Sequence, residues 1–215
     1  MTKEDFLKLL FVTDNTLEKN EKITSTVKLL IYEARELSGR NIKTGNFDNS
    51  NLDDFAAKYY LYISRRFNGL FLYLLLLEVI GSLINNKLHP SSQNGIKRAL
   101  EMFSDKIIGE NQSIIIGLRN SLAHRFSLCT ESTPRQGKPL CFELCWNETN
   151  YIVKKPTTEW DGDFSKKKMH TKIGVENLIN HIEKIYADII KKLETKELQS
   201  VPEIPELKAR YTIKI

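Results

Sequence analysis

The run Leu70-Phe71-Leu72-Tyr73-Leu74-Leu75-Leu76-Leu77-Glu78-Val79-Ile80 constrains the fold of this chain more than any other segment. It belongs to a longer helical stretch that Asn51 or Asp53 caps and that runs to about Asn86, as one helix or as two joined near Asn68-Gly69. Before it, Phe55, Tyr59, Tyr62, Ile63 and Phe67 recur at helical spacing. A helix that is apolar nearly all round has no face to offer water, so it must sit centrally in a bundle or at a contact between copies. Glu78 interrupts the run and Gly81-Ser82 follow, which leaves it short of the roughly 20 apolar residues that a bilayer demands. It reads as a buried core helix, with no role for a membrane.

Other elements arrange themselves around it. The spacing predicts a short helix over Lys3 to Leu10 and a longer one from Glu21 to Leu37, stopped at Ser38-Gly39. Asn41 to Asn51 reads as a loop. Pro90-Ser91-Ser92 introduces a helix from Gln93 to Ile107, and Gly109-Glu110-Asn111 separates that from another over Gln112 to Phe126. Two β-prone runs, Leu140 to Trp146 and Tyr151 to Lys155, flank the turn formers Asn147 to Asn150 and predict a β-hairpin. A lysine-bearing loop leads to His170. A final helix over Gly174 to Leu193 puts Val175, Leu178, Ile179, Ile182, Ile185, Ile189 and Ile190 on one broad face, and residues 201–205 read as extended. The expected architecture is a mostly α single domain over 1–215. It has about four principal helices, amino-terminal helical additions over 1–50, a small hairpin inserted at 139–156 and a closing bundle helix at 172–195.

Composition narrows the class. A hydrophobic fraction of 41% and a charged fraction of 27% are those of a folded chain. The formal charge of +5 mildly favours polyanionic partners. Three cysteines and a first segment, Met1 to Phe6, without the layout of a secretion signal predict a cytoplasmic protein with free thiols.

Chemistry concentrates in Ile114-Ile115-Ile116-Gly117-Leu118-Arg119-Asn120-Ser121-Leu122-Ala123-His124-Arg125-Phe126. At about 100° per residue, Arg119 and His124 lie about 140° apart around a helix and do not share a face. Asn120 and His124, four apart, do share one, and the long side chain of Arg119 can reach it. Ile114, Ile115, Leu118 and Leu122 supply a core face, while Gly117 and Ser121 are small enough for a neighbour to approach closely. Histidine exchanges protons near neutral pH, arginine is a permanent bidentate donor to phosphate oxygens, and asparagine can donate to phosphate or orient the imidazole. Such a set needs no metal and no cofactor.

Arg119-Asn120-Ser121-Leu122-Ala123-His124 resembles the Arg-x4-6-His motif of the HEPN superfamily, with the polar residue after the arginine that recurs in its active members. The resemblance covers about Leu52 to Leu193. It implies a helical-bundle endoribonuclease that works without metal, of the kind found in toxin–antitoxin, abortive-infection and CRISPR-linked systems. It implies that the RNA 2′-hydroxyl attacks the adjacent phosphorus, leaving a 2′,3′-cyclic phosphate and a 5′-hydroxyl. His124 would be general acid or base, Arg119 would stabilise the phosphorane and Asn120 would position phosphate or imidazole. It also implies a homodimer in which two motifs face one cleft, and an antitoxin or regulatory protein as partner. The tyrosine that follows the histidine by two in one toxin subgroup is replaced by Phe126, so the antitoxin mechanism of that subgroup does not carry over. Two other readings stand beside this one: a catalytically silent HEPN-like module that binds RNA or protein, and an unrelated helical scaffold.

Remaining groups support or compete. Glu78 is a carboxylate in an apolar helix and needs a partner, for which Arg119 and His124 are candidates; Ser121 is a second supporting residue. Arg125, Lys154, Lys155, Lys166, Lys167 and Lys168 form a candidate track for RNA backbone, with Lys172 and His170 nearby and Trp146, Tyr151 and Trp160 as aromatics that could stack bases. Cys129, Cys141, Cys145 and His170 are a poor zinc set. Cys141 and Cys145 lie four apart in an expected strand, about 13 Å at 3.3 Å per residue. His89 and His181 have no partner evident from sequence.

Overall fold

The structure is a computed structural model that describes residues 2–12, 16–18, 21–46, 58–85, 94–125, 127–130, 138–148, 150–200 and 202–214. It is mostly helical with small sheets, and the chain groups into two compact units, Met1–Phe103 with Glu183–Ile215, and Ser104–Ile182.

In the first unit, α1 (Lys3–Phe11) begins with a capping box in which the Thr2 hydroxyl accepts from the Asp5 amide and the Asp5 carboxylate accepts from the Thr2 amide. It buries Phe6, Leu7, Leu10 and Phe11 almost completely. The helix expected from Glu21 starts later. Glu21–Ser25 is a strand, β2, between β1 (Thr16–Glu18) and β8 (Thr212–Lys214), antiparallel to both. Ser25 closes the strand and caps α2 (Thr26–Leu37): its Oγ accepts from the amides of Val27 and Lys28 and donates to the Leu10 carbonyl at 2.7 Å. The strand has a local partner in β1, two residues before it, and a distant one in β8, nearly two hundred residues away.

The central helix α3 spans Lys58–Leu83 without a break at Asn68-Gly69; its expected caps at Asn51 and Asp53 lie outside the described residues. Gly69 allows close approach and does not end the helix, because a Cβ there would stand 2.2 Å from the Ser38 Oγ at the end of α2. By length and composition the 19 residues Arg65–Leu83 are enough to cross a membrane, more than the run from Leu70 suggested. Leu70, Tyr73, Leu74, Leu76, Leu77, Ile80 and Leu83 nevertheless show no exposed surface in this unit, as expected of a core helix. Helix α4 (Gly95–Phe103) ends earlier than the expected Ile107, and Asn94, just before it, accepts from the Lys97 amide through its Oδ1; Pro90 to Gln93 lie outside the described residues. It crosses α3 at a pair of glycines so close that a Cβ on Gly81 would lie 1.8 Å from the Gly95 carbonyl oxygen. The strand β3 (Ile84–Asn85) pairs antiparallel with β7 (Gln199–Ser200). Of the tail expected to be extended over 201–205, Glu203 is extended and Ile204 and Pro205 open a helix: α7 (Ile204–Tyr211) tolerates Pro205 in its first turn, where no intrahelical amide is needed.

In the second unit, α5 (Glu110–Arg125) carries the motif, and α6 (Val175–Glu194) begins here and continues into the first unit. The expected hairpin does not form. The strand β4 (Phe142–Cys145) and the strand β5 (Val153–Lys154) are separated by β6 (Thr171–Gly174), parallel to β4 and antiparallel to β5. Val153 pairs with Ile173, as does Leu144 from the other side. The final helix begins at Val175, and the four residues between His170 and it, Thr171–Gly174, supply the middle strand, with Thr171 and Ile173 buried in the layer between the two others.

Candidate functional site

The core face of α5 is the one its sequence predicts. Ile114, Ile115, Leu118 and Leu122 are at most 4% exposed. The opposite stripe, Ser113, Gly117, Asn120 and His124, is exposed or half-buried, following the steps of three to four residues that define a helix face. Asn120 and His124 therefore share the outer face. Arg119 is half-buried beside them, and its Nη1 donates to the Asn120 Oδ1 at 3.2 Å. That bond holds the guanidinium towards the Asn120 side of the helix, where backbone geometry alone would leave it about 100° away. His124 is exposed near the carboxy end of the helix, reachable by a large substrate.

Ser121 points the other way. It is buried, its Oγ has no hydrogen-bond partner among the described residues, and its carbonyl accepts from the Ser127 amide at 3.3 Å. A Cβ on Gly117 would meet Leu140, Thr130 and Phe142 side chains at 3.6–3.7 Å, an ordinary contact distance, so glycine is not required there for close approach. Arg125 ends α5 and its side chain lies outside the described residues, as does Phe126. Glu78 is half-buried on α3 in the first unit, whereas Arg119 and His124 belong to the second.

The lysines divide into two kinds. Lys155 pairs with Glu110, the first residue of α5, and Lys166 with Asp161 and Asp163. Lys172, beside them, pairs with Glu143. Between 138 and 172 the chain has seven lysines against five carboxylates, so this region is far less positive than its lysine count suggests. Lys155 holds the Glu110 carboxyl below the usual glutamate value, and Lys166 is raised by Asp161. Lys154, Lys167 and Lys168 are exposed and ion-pair with no carboxylate among the described residues; Lys154 stands over the Tyr151 ring at 5.6 Å. Trp160 packs edge-on against Phe164 at 5.1 Å, and Phe164 itself is 66% exposed.

Among the described residues no cluster of three or more metal-ligating side chains occurs. Cys141 adjoins Cys129, with the sulfurs 2.8 Å apart, while the Cys145 Sγ lies 3.9 Å from the Glu143 carbonyl oxygen and the His170 Nε2 is buried without a partner among the described residues.

Two polar clusters escaped sequence reasoning. The His181 Nε2 lies 2.7 Å from the Ser104 Oγ, which also accepts from the Ile107 amide, so that serine closes the turn after α4. In the first unit, Glu183 receives Arg35 through both carboxylate oxygens, at 2.9 and 2.8 Å, and the Tyr73 hydroxyl at 2.5 Å. Arg35 also donates to the carbonyls of Ile42 and Lys43, and Arg40 to that of Gly45, which anchors the 41–46 loop. Burial and the adjacent Glu183 charge push the Tyr73 hydroxyl far above the usual tyrosine value. Burial alone would lower Arg35; the Glu183 carboxylate outweighs it, and the net direction is upward. Glu183 could have been suspected as a charge among Ile179, Ile182 and Ile185, but its partner is 148 positions away. A groove of about 490 Å³ beside α2, lined by Leu29, Leu30, Glu33, Glu36 and Leu72 among others, contains none of the candidate catalytic residues.

No protein-family model matches the chain, and neither a curated protein nor a solved structure does.

Proposed function

We propose that this protein is a HEPN-type endoribonuclease that cuts RNA through attack of the 2′-hydroxyl on the adjacent phosphorus, acting as a toxin or defence effector. One observation carries the reading: Arg119 and Asn120 are tied side chain to side chain on the outer part of α5, one turn before an exposed His124. A phosphate docked there meets a fixed guanidinium and an amide, with an imidazole able to take or give a proton. Cleavage proceeds without metal, and two copies pair so that their α5 helices border one cleft. Lys154, Lys167 and Lys168 hold the RNA backbone.

The test is incubation of the purified protein with mixed single-stranded and structured RNAs in the presence of a chelator. Products with 2′,3′-cyclic phosphate ends are expected from the wild type and none from Arg119→Ala or His124→Ala. RNA binding without cleavage by any of the three proteins would replace this reading with that of a silent RNA-binding module. Neither binding nor cleavage would sink both.

A further inference from the structure

We propose that Cys129 and Cys141 form a reversible intramolecular disulfide, a covalent modification site that ties the segment following α5 to β4. The backbone prepares it. The Thr130 amide donates to the Leu140 carbonyl at 2.8 Å and the Phe142 amide donates to the Leu128 carbonyl at 2.7 Å. These two bonds bracket an antiparallel bridge between Cys129 and Cys141. With the bonds on the flanking residues and none between the two themselves, this is the non-hydrogen-bonded kind of antiparallel pair, where side chains stand closest. In such pairs the Cα atoms are about 4.5 Å apart, inside the range of about 4.4–6.8 Å that a disulfide spans. The sulfurs already touch, at 2.8 Å.

The third thiol does not compete. Cys145 is at the far end of β4, turned to the Glu143 carbonyl. Between the two partners, access differs: Cys129 is half-buried and Cys141 is 5% exposed. Burial, reinforced by the neighbouring Cys129, pushes the Cys141 thiol up to about 12. Cys129 is thus the sulfur that meets an oxidant first.

The oxidant is a low-molecular-weight disulfide such as oxidised glutathione. The Cys129 thiolate attacks one of its sulfurs, the S–S bond breaks, and one small thiol leaves with a proton from solvent. Cys141 then gives up its proton and attacks the Cys129 sulfur, expelling the second small thiol. Two protein thiols become one disulfide while the small disulfide becomes two thiols, so atoms and electrons balance. The bond closes the chain between Cys129 and Cys141 into a covalent loop, and Cys129 stands five residues after His124. This inference does not depend on the ribonuclease reading.

The test uses the full chain equilibrated in glutathione buffers from fully reduced to fully oxidised, quenched in acid, alkylated and analysed by intact mass and peptide mapping. The expected wild-type product is two hydrogens lighter, with Cys129 and Cys141 in one cross-linked peptide and Cys145 alkylated. Cys145→Ser should oxidise at the same buffer ratio, and Cys129→Ser should acquire no intramolecular link. Three alkylated thiols in the fully oxidised buffer would overturn the proposal. So would a glutathione adduct that stays on Cys129, or a link that uses Cys145.

Discussion

Replacing Glu183 with alanine should be among the costliest single changes in the first unit. The carboxylate takes two hydrogen bonds from Arg35 and one from Tyr73, and the paired side chains are only 7% and 14% exposed. Removing one member of a buried ion pair strands the other charge and costs about 3–5 kcal/mol. Arg35 keeps the Ile42 and Lys43 carbonyls for its Nη1, at 2.8 and 3.0 Å, which places Glu183→Ala near about 3 kcal/mol, at the lower end of that range. Glu183→Gln retains an acceptor but turns an amide donor towards the guanidinium, and about 2 kcal/mol is expected. Replacing both partners together, Arg35→Met with Glu183→Leu, should cost less than the sum of the singles, because no orphan charge remains. Urea midpoints at constant m-value measure the global effect. Segment-resolved hydrogen exchange should show faster exchange in α2 and in the half of α6 after Ile182. A Glu183→Ala protein within about 1 kcal/mol of wild type, with α2 exchange unchanged, would refute the reasoning, as would a double replacement costing the full sum.

Further expectations follow from single contacts. Gly81→Ala places a methyl group 1.8 Å from the Gly95 carbonyl oxygen, so α3 and α4 must part; a loss of about 3 kcal/mol or more is expected in thermal melts, and an unchanged melt would contradict the close crossing. Glu110 should titrate below the ordinary glutamate value of 4.5 by NMR. Its folded value is depressed, so the Lys155 tie contributes above the ordinary value and is lost as pH falls through the lowered one; Lys155→Ala should return the titration to normal. If RNA is the ligand, Lys167→Glu with Lys168→Glu should weaken binding more than Lys155→Glu with Lys166→Glu, since the second pair is already neutralised by carboxylates. The salt dependence of binding should fall by about one unit of slope for each lysine that contacts phosphate, and equal effects from both pairs would argue against this division of the surface.

Local information determined much of this protein. The stop of α2 at Ser38-Gly39, the core face of α5 at Ile114, Ile115, Leu118 and Leu122, the apolar stripe of α6 and the shared face of Asn120 and His124 all depend on residues three or four apart. Such contacts are written in the chain itself. Tertiary structure decided the rest. Glu21–Ser25, besides its local partner β1, takes β8 on its other edge, and the expected hairpin is split because Thr171–Gly174 enters between its arms. Gly69 marks where α2 ends against α3. The Arg119 guanidinium is turned by one side-chain bond, half the lysines near the sheet are cancelled by acids, and Cys129 meets Cys141 through a bridge. Pairing energies in sheets and polar clusters belong to residues far apart in sequence, so their partners become identifiable only when the chain has closed the loops between them.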